Sequence, residues 1–216
     1  MAAPSSASRP DQDTSARVVS ALAFALPRHS SQRRKNKDIA YVGHLLRVMG
    51  FVVEVGGDED EIIAALCHDM IEDQGGEGAA RDIERQFGAR VRAIVEGCTD
   101  AWSEPKAEWR PRKEAHLKRL EQAERSILLV TAADKLDNAI TIVDDVVAEG
   151  WRTLDRFRGG ADGTAWYFTA IYELLDRRFV LGDPARVLVS RLGREAQQIT
   201  QAMRVAEIER NGPPSD

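Results

Sequence analysis

The feature that most constrains the fold of this chain is the spacing of its apolar residues. From about Ser15 onward they recur three and four positions apart. This spacing places them along one face of a helix, and the alternation typical of a half-buried strand is almost absent. We therefore predict an all-α fold, a compact helical bundle. Helices are expected at residues 15–27, 39–54, 59–73, 79–87, 89–99, 108–122, 124–148, 165–180 and 184–209.

The length and composition of the chain favour a single domain. With 216 residues, of which 43% are hydrophobic and 30% are charged, the chain is long enough to bury one core. We expect this domain to span residues 15–209, between disordered tails at 1–14 and 210–216. The glycine-rich stretch 156–164 predicts an exposed loop, which is either a solvated linker or a cover over a pocket.

The charge and the cysteines bear on where such a chain acts. The net charge of −5 indicates no general attraction to nucleic acid or to an anionic membrane. No stretch resembles a signal peptide or a membrane-spanning helix. Cys67 and Cys98 lack metal-binding spacing, which is typical of free thiols in a reducing compartment. We therefore expect a cytoplasmic protein that has neither a nucleic acid nor a membrane as its partner.

A dense group of chemically active residues lies in the last turns of the third predicted helix. An apolar run there presents His68, Asp69, Glu72 and Asp73. Neighbouring helical positions point about 100° apart, so His68 and Asp69 can reach one ion beside the helix. Glu72 and Asp73 follow one turn later on the same face. The pattern predicts a metal ion flanked by acid–base groups, although a solvated acidic helix end would have the same sequence.

Two other polar residues interrupt apolar surroundings in separate predicted helices. His44 is flanked by apolar residues, and Asp134 lies inside a long apolar helix, where a buried carboxylate needs a partner that offsets its desolvation. A divalent cation is one such partner. The alternatives are a satisfied core histidine and a buried ion pair of Asp134 with lysine or arginine. Asn138 lies one turn beyond Asp134 on the same face.

These residues occur in the order of a known family. The sequence reads HSSQRRK at 29–35, YVGH at 41–44, HDMIED at 68–73 and ADKLDN at 133–138. The order H…HD…D resembles the HD superfamily of metal-dependent phosphohydrolases. The surrounding residues are similar to the hydrolase domain of RelA/SpoT homologues and to small stand-alone alarmone hydrolases of the metazoan SpoT homologue type. The resemblance covers roughly residues 18–180 and implies an HD-domain helical bundle.

The resemblance also implies a metal centre. The family's ion is Mn²⁺, with Fe²⁺ or another divalent cation as alternatives. Two imidazoles and two carboxylates form a neutral site with open positions for water and phosphate, which suits these ions. The implied ligands are His44, His68, Asp69 and Asp134.

Roles in catalysis and substrate binding follow from the same resemblance. Glu72 and Asp73 would activate or position the attacking water. Arg34, Lys35 and Asn138 would contact a nucleotide polyphosphate.

Further basic and aromatic residues are candidates for substrate binding. A basic cluster at 33–37 precedes His44, and a second lies at 109–113 in the sequence WRPRK. Arginine and lysine both bind phosphate, and we assign this role to the first cluster. The second is either a phosphate site or a solvated surface. Tyr167 is a candidate for stacking on a base, although an aromatic group on a late helix is more often part of the core.

The chain departs from the family pattern at three places. Leu45 stands where the family usually has proline, and residues 36–40 replace a Gly-Glu-Pro-Tyr segment. Asp137 stands where histidine or tyrosine is usual. If Asp137 faces the site, we expect its charge to weaken phosphate binding or to alter base preference.

The leading hypothesis is hydrolysis of the 3′-pyrophosphate from a guanosine or adenosine alarmone, with release of pyrophosphate. A second enzymatic hypothesis is a nucleotide phosphomonoesterase, which would release orthophosphate. A third is a regulator that binds a nucleotide or a partner without turnover.

Overall fold

The computed structural model describes residues 16–34, 37–100 and 108–212. Within these ranges the chain is helical and contains no strand, apart from one isolated bridge between Arg33 and Ala40. The all-α prediction is confirmed. The helices are α1 (Ala16–Arg28), α2 (Val42–Glu54), α3 (Glu59–Cys67), α4 (Met70–Gln74), α5 (Gly76–Phe87), α6 (Ala89–Cys98), α7 (Trp109–Leu120), α8 (Arg125–Glu149), a 3-10 helix (Gly150–Arg156), α9 (Gly160–Arg178) and α10 (Arg186–Asn211).

Helix α8 lies at the centre of the bundle. The run from Leu128 to Asp134 is buried without interruption, as expected for a helix that is covered on all sides. Helices α2, α3, α6, α9 and α10 pack against it. This arrangement places Asp134 and the residues that follow it deep in the domain.

The predicted helix 59–73 is divided into two in the structure. Asp58 caps the start of α3 by accepting a hydrogen bond from the backbone N–H of Glu61 at 3.0 Å. The helix then ends at Cys67, and α4 begins at Met70. Asp69 adopts φ −98° and ψ 0°, which departs from helical geometry. The break lets the His68 and Asp69 side chains project together from the junction between the helices.

The predicted loop at 156–164 is wrong from Gly160 onward, because α9 begins there. Its glycines serve close packing. A Cβ atom on Gly159 would lie 2.6 Å from the Trp109 ring, and one on Gly163 would lie 3.1 Å from it. The absence of side chains at these positions lets α7 approach the start of α9.

The predicted tails are only partly covered by the described ranges. Residues 1–15 and 213–216 lie outside the described residues, whereas α10 continues to Asn211, beyond the expected end of the domain at residue 209. Disorder of the tails therefore stays a prediction. None of the helices in the described ranges has the length and apolar character needed to span a bilayer.

Candidate metal centre and active-site cavity

Three parts of the bundle bring the four expected metal ligands together. His44 comes from α2, His68 and Asp69 from the junction of α3 and α4, and Asp134 from the middle of α8. The Nε2 atoms of the two histidines are 3.2 Å apart. Asp69 Oδ2 lies 2.9 Å from His68 Nε2, and Asp134 Oδ1 lies 3.3 Å from His44 Nε2. The ligand atoms of His44, His68 and Asp134 all lie within 4.8 Å of one another, and Asp69 Oδ2 lies beside both histidines, 3.5 Å from His44 Nε2.

Hydrogen bonds at the far side of each imidazole fix its orientation. His68 Nδ1 lies 2.8 Å from the carbonyl oxygen of Ala65, and His44 Nδ1 lies 2.6 Å from Asp137 Oδ2. Both partners are acceptors, so each Nδ1 donates a proton and each Nε2 is the ring nitrogen that faces the cluster. A metal ion would take each Nε2 as its ligand after displacing the proton there. The residues therefore fit a divalent cation.

The charges around the cluster perturb its ionisable groups. Burial lowers the pKa of His44, but hydrogen bonds to Asp134, Asp137 and Asp69 outweigh burial and raise the pKa to about 9. Burial raises the pKa of Asp134, but the Lys135 ammonium and the two histidines outweigh it and hold this pKa well below its usual value. The carboxylate is therefore ionised at neutral pH and is available to a cation.

Asp137 contacts a metal-ligand candidate and lies away from the open cavity. It is 1% exposed, and its carboxylate accepts hydrogen bonds from Arg47 on α2 as well as from His44. Asp137 therefore orients the His44 imidazole, and Arg47 neutralises its charge. Asp137 does not line the cavity, but its Oδ2 lies 3.8 Å from Nη2 of the cavity residue Arg34. An effect of Asp137 on phosphate or base therefore stays a prediction, and it would act through Arg34.

Polar neighbours also hold the two carboxylate ligand candidates in place. The Tyr41 hydroxyl donates a hydrogen bond to Asp69. Lys135 Nζ donates to Asp134 Oδ2 at 2.6 Å, and Asn138 Nδ2 donates to Asp134 Oδ1 at 2.5 Å. The sequence analysis did not assign roles to Tyr41 or Lys135, although Tyr41 lies in the motif YVGH and Lys135 in the motif ADKLDN.

An open cavity of about 500 Å³ lies beside the cluster. Glu72 and Asp73 on α4 line it, together with Asp69 and Asp134. Asp73 Oδ2 accepts a hydrogen bond from Gln32 Nε2 at 2.8 Å. The two carboxylates predicted to act on water therefore border the same space as the ligand candidates.

One wall of the cavity is formed by residues from the first basic cluster and α8. Arg34 Nη2 lies 3.2 Å from Asn138 Oδ1 and 3.2 Å from Thr141 Oγ1. Lys37 forms ion pairs with Asp145 and, at 3.6 Å, with Glu149. Lys35, the other predicted nucleotide contact, lies outside the described residues.

The second basic cluster also reaches the cavity. From the sequence, this cluster was either a phosphate site or a solvated surface. Arg112 and Lys113 line it, and both form ion pairs with Asp100, which follows α6. Burial raises the pKa of Asp100, but Lys113, His116 and Arg112 outweigh burial and lower it.

Tyr167 lies in the same wall of the cavity and is 4% exposed. Its ring packs against the rings of Trp109, Trp166 and Phe168. Lys113 Nζ lies 4.6 Å from the centroid of the Tyr167 ring. The Tyr167 hydroxyl is itself buried and has no hydrogen-bond partner. Base stacking by Tyr167 stays a prediction.

An all-helical domain in which two buried histidines, the buried Asp134 and the half-buried Asp69 lie beside an open cavity is typical of helical divalent-metal-binding domains. The chain belongs to the HD domain family, whose model matches residues 21–154. The resemblance seen in the sequence motifs is thereby confirmed.

Individual relatives agree with this membership. The chain is 33% identical over 139 residues to the human guanosine-3′,5′-bis(diphosphate) 3′-pyrophosphohydrolase MESH1, covering 63% of this chain and 74% of that protein. It is 35% identical over 137 residues to the Xenopus tropicalis enzyme of the same name, covering 62% of this chain and 73% of that protein. A solved structure described as a metazoan ortholog of SpoT that hydrolyses ppGpp matches with a TM-score of 0.65 and 27% identity, over 93% of this chain and 98% of that one.

Proposed function

We propose that this protein hydrolyses the 3′-diphosphate of guanosine 3′,5′-bis(diphosphate), or of its adenosine counterpart, and releases pyrophosphate. The observation that carries the proposal is the orientation of His44 and His68, whose Nε2 atoms face two carboxylates beside a cation-lined cavity. Similarity to proteins named for this reaction supports the choice of substrate. The two free thiols agree with action in a reducing compartment such as the cytoplasm.

His44, His68, Asp69 and Asp134 would hold the divalent ion, which we propose to be Mn²⁺. When bound, such an ion polarises a phosphoryl oxygen and makes a water molecule more acidic. The Tyr41 hydroxyl and Lys135 orient the two carboxylates through the hydrogen bonds described above. The chain therefore supplies a fixed set of ligands before the substrate arrives.

Glu72 and Asp73 would orient the attacking water and accept its proton. Both carboxylates border the cavity, and Gln32 holds Asp73 through its side-chain amide. Attack on the phosphorus attached to the 3′ oxygen breaks that P–O bond, leaves a 3′ hydroxyl on the nucleoside and forms pyrophosphate. Arg34 and Lys35 would bind the nucleotide, with Asn138 positioning Arg34.

The proposal is tested by turnover of purified protein on a panel of nucleotides with Mn²⁺, Fe²⁺ or Mg²⁺. The panel contains 3′-diphosphorylated guanosine and adenosine nucleotides and ordinary nucleoside 5′-phosphates. We expect pyrophosphate release from the 3′-diphosphorylated nucleotides, with the highest rate in Mn²⁺. Orthophosphate release from ordinary nucleotides would instead establish a phosphomonoesterase, and absence of any turnover despite bound metal would establish a binding protein.

Two variants assign the residues. Asp69→Asn should abolish both metal binding and turnover, whereas Glu72→Gln should keep metal binding and lower kcat by roughly 10²- to 10⁴-fold. Lys118→Gln, an exposed position on α7, serves as the control. A Glu72→Gln variant with unchanged kcat would remove Glu72 from the proposed chemistry.

A further inference from the structure

A buried histidine that has no role in the proposed function lies behind Asp73. His29, directly after α1, is 0% exposed, and its Nδ1 atom lies 2.6 Å from Gln32 Oε1. Gln32 Nε2 in turn donates to Asp73 Oδ2 at 2.8 Å. The backbone N–H of Gln32 also donates to the carbonyl oxygen of His29 at 3.1 Å, so a single turn holds the two residues together. Two side-chain hydrogen bonds thus connect the protein interior to a carboxylate that borders the cavity.

The Asp73 carboxylate determines the direction of both hydrogen bonds. An ionised carboxylate only accepts, so the Gln32 amide turns its NH2 group toward Asp73 and its oxygen toward His29. Gln74 Nε2 also donates to this oxygen, at 3.0 Å. Because the oxygen can only accept, the His29 imidazole carries a proton at Nδ1. His29 Nε2 is buried and has no hydrogen-bond partner, so a second proton there would be costly.

These hydrogen bonds restrict the motion of the Asp73 side chain. Asp73 is an exposed residue, and exposed side chains exchange rapidly between rotamers unless contacts restrain them. The Gln32 amide is such a restraint, and His29 and Gln74 fix the amide by binding its oxygen. We propose that His29 is a positioning residue, which orients the Gln32 amide so that Asp73 faces the attacking water. This inference rests on the proposed function, in which Asp73 orients that water.

His29 has a second route to the site, through Tyr41. The His29 ring stacks on the Tyr41 ring, with centroids 5.6 Å apart and 25° between the ring planes. The Tyr41 hydroxyl donates to the candidate metal ligand Asp69. The two routes predict different results. Loss of the route through Gln32 lowers kcat, whereas loss of the route through Tyr41 weakens the binding of the metal.

The first test is a double-mutant cycle on kcat at saturating Mn²⁺. His29→Leu removes the donor to Gln32 and should lower kcat about tenfold, as is typical of residues that orient site groups. KM and the Kd for the metal should stay unchanged. His29→Asn places an N–H near the position of Nδ1 and should restore most of the lost kcat. Gln32→Leu should lower kcat at least as much as His29→Leu, and the double variant no further, because His29 acts through Gln32.

Ser31→Ala is the matched control, since Ser31 is an exposed residue in the same turn. A kcat for His29→Leu within about twofold of that for Ser31→Ala would overturn the inference. Losses of kcat that multiply in the double variant would also overturn it, because His29 would then act independently of Gln32. A raised Kd for the metal with unchanged kcat would overturn it in favour of the route through Tyr41.

A second measurement depends neither on turnover nor on the folding of a variant. Nitrogen NMR of the imidazole groups in the Mg²⁺-loaded wild type should show a neutral His29 with its proton on Nδ1. A proton on Nε2 would overturn the inference. If the wild type hydrolyses no nucleotide while His29 carries its proton on Nδ1, the proposed function fails and the hydrogen-bonded connection stands. Turnover with unchanged kcat in His29→Leu rejects the positioning role alone.

Discussion

Replacement of Asp137 by asparagine should weaken metal binding without unfolding the protein. The asparagine side chain has nearly the same shape as the native carboxylate, so the buried space between α2 and α8 stays filled. The acceptor of the His44 Nδ1–H bond, now 2.6 Å away, would lose its charge. His44 would then be a weaker donor to the ion and a less firmly oriented one.

The size of the effect follows from the strength of this hydrogen bond. A hydrogen bond to a charged group contributes about 1.5–3 kcal/mol, and one between neutral groups about 0.5–1.5 kcal/mol. The difference of about 1–2 kcal/mol corresponds to a roughly 5- to 30-fold rise in the Kd for the metal. The substitution also leaves the Arg47 guanidinium without its carboxylate partner. Because the Arg47 side chain is 53% exposed, water screens this charge.

The assay is competition for Mn²⁺ between the protein and a fluorescent chelator, with the unfolding midpoint measured in parallel. Asp144→Asn is the matched control, because it removes the same charge from an exposed position on α8, two turns after Asp137. A Kd for Asp137→Asn within twofold of that for Asp144→Asn would refute the assigned role in orienting His44.

Three further predictions concern stability. Tyr167→Phe removes a buried hydroxyl without a partner and should raise the Tm of the ligand-free protein by about 2 °C in calorimetry; a lower Tm would show that the hydroxyl is satisfied. Gly97→Ala would place a Cβ 2.5 Å from the Ile127 side chain and should cost about 1–3 kcal/mol in urea unfolding, unlike the open position Gly50→Ala. Burial lowers the pKa of His116 to about 3, below its unfolded value of about 6.5. The unfolded state therefore binds more protons, and stability should fall by up to about 1.4 kcal/mol per pH unit below 6.5. His116→Gln should flatten this slope.

The sequence predicted the all-helical fold and the candidate ligand set, for a physical reason. A histidine or aspartate within an apolar helix is costly to bury, so His44 and Asp134 are conspicuous against their neighbours. The break between α3 and α4 was missed because the helical spacing of apolar residues continues across His68 and Asp69. The backbone conformation between Cys67 and Met70 does not change the spacing of the apolar residues, so this spacing cannot reveal the break.

Other features depend on pairing between distant segments. Gly159 and Gly163 suggested a loop, since glycine is common in loops, but their role is to admit the Trp109 ring. The sequence shows that Asp137 departs from the family pattern and does not show that it faces His44. The ion pairs of Arg112 and Lys113 with Asp100 likewise join α7 to the residue that follows α6, and the sequence does not show this pairing.

Asn138 on helix α8 connects the candidate metal centre to Arg34 in the cavity wall through its side-chain amide. Asn138 donates from Nδ2 to Asp134 Oδ1 and accepts at Oδ1 from Arg34 Nη2. An amide presents its donor and acceptor in a fixed plane, so a shift of Arg34 toward a phosphate turns the group that holds Asp134. In the proposed function, these two hydrogen bonds would link occupation of the nucleotide site to the orientation of the candidate ligand Asp134. Replacement of Asn138 by aspartate would put a carboxylate against Asp134, and the two sites would lose this connection together.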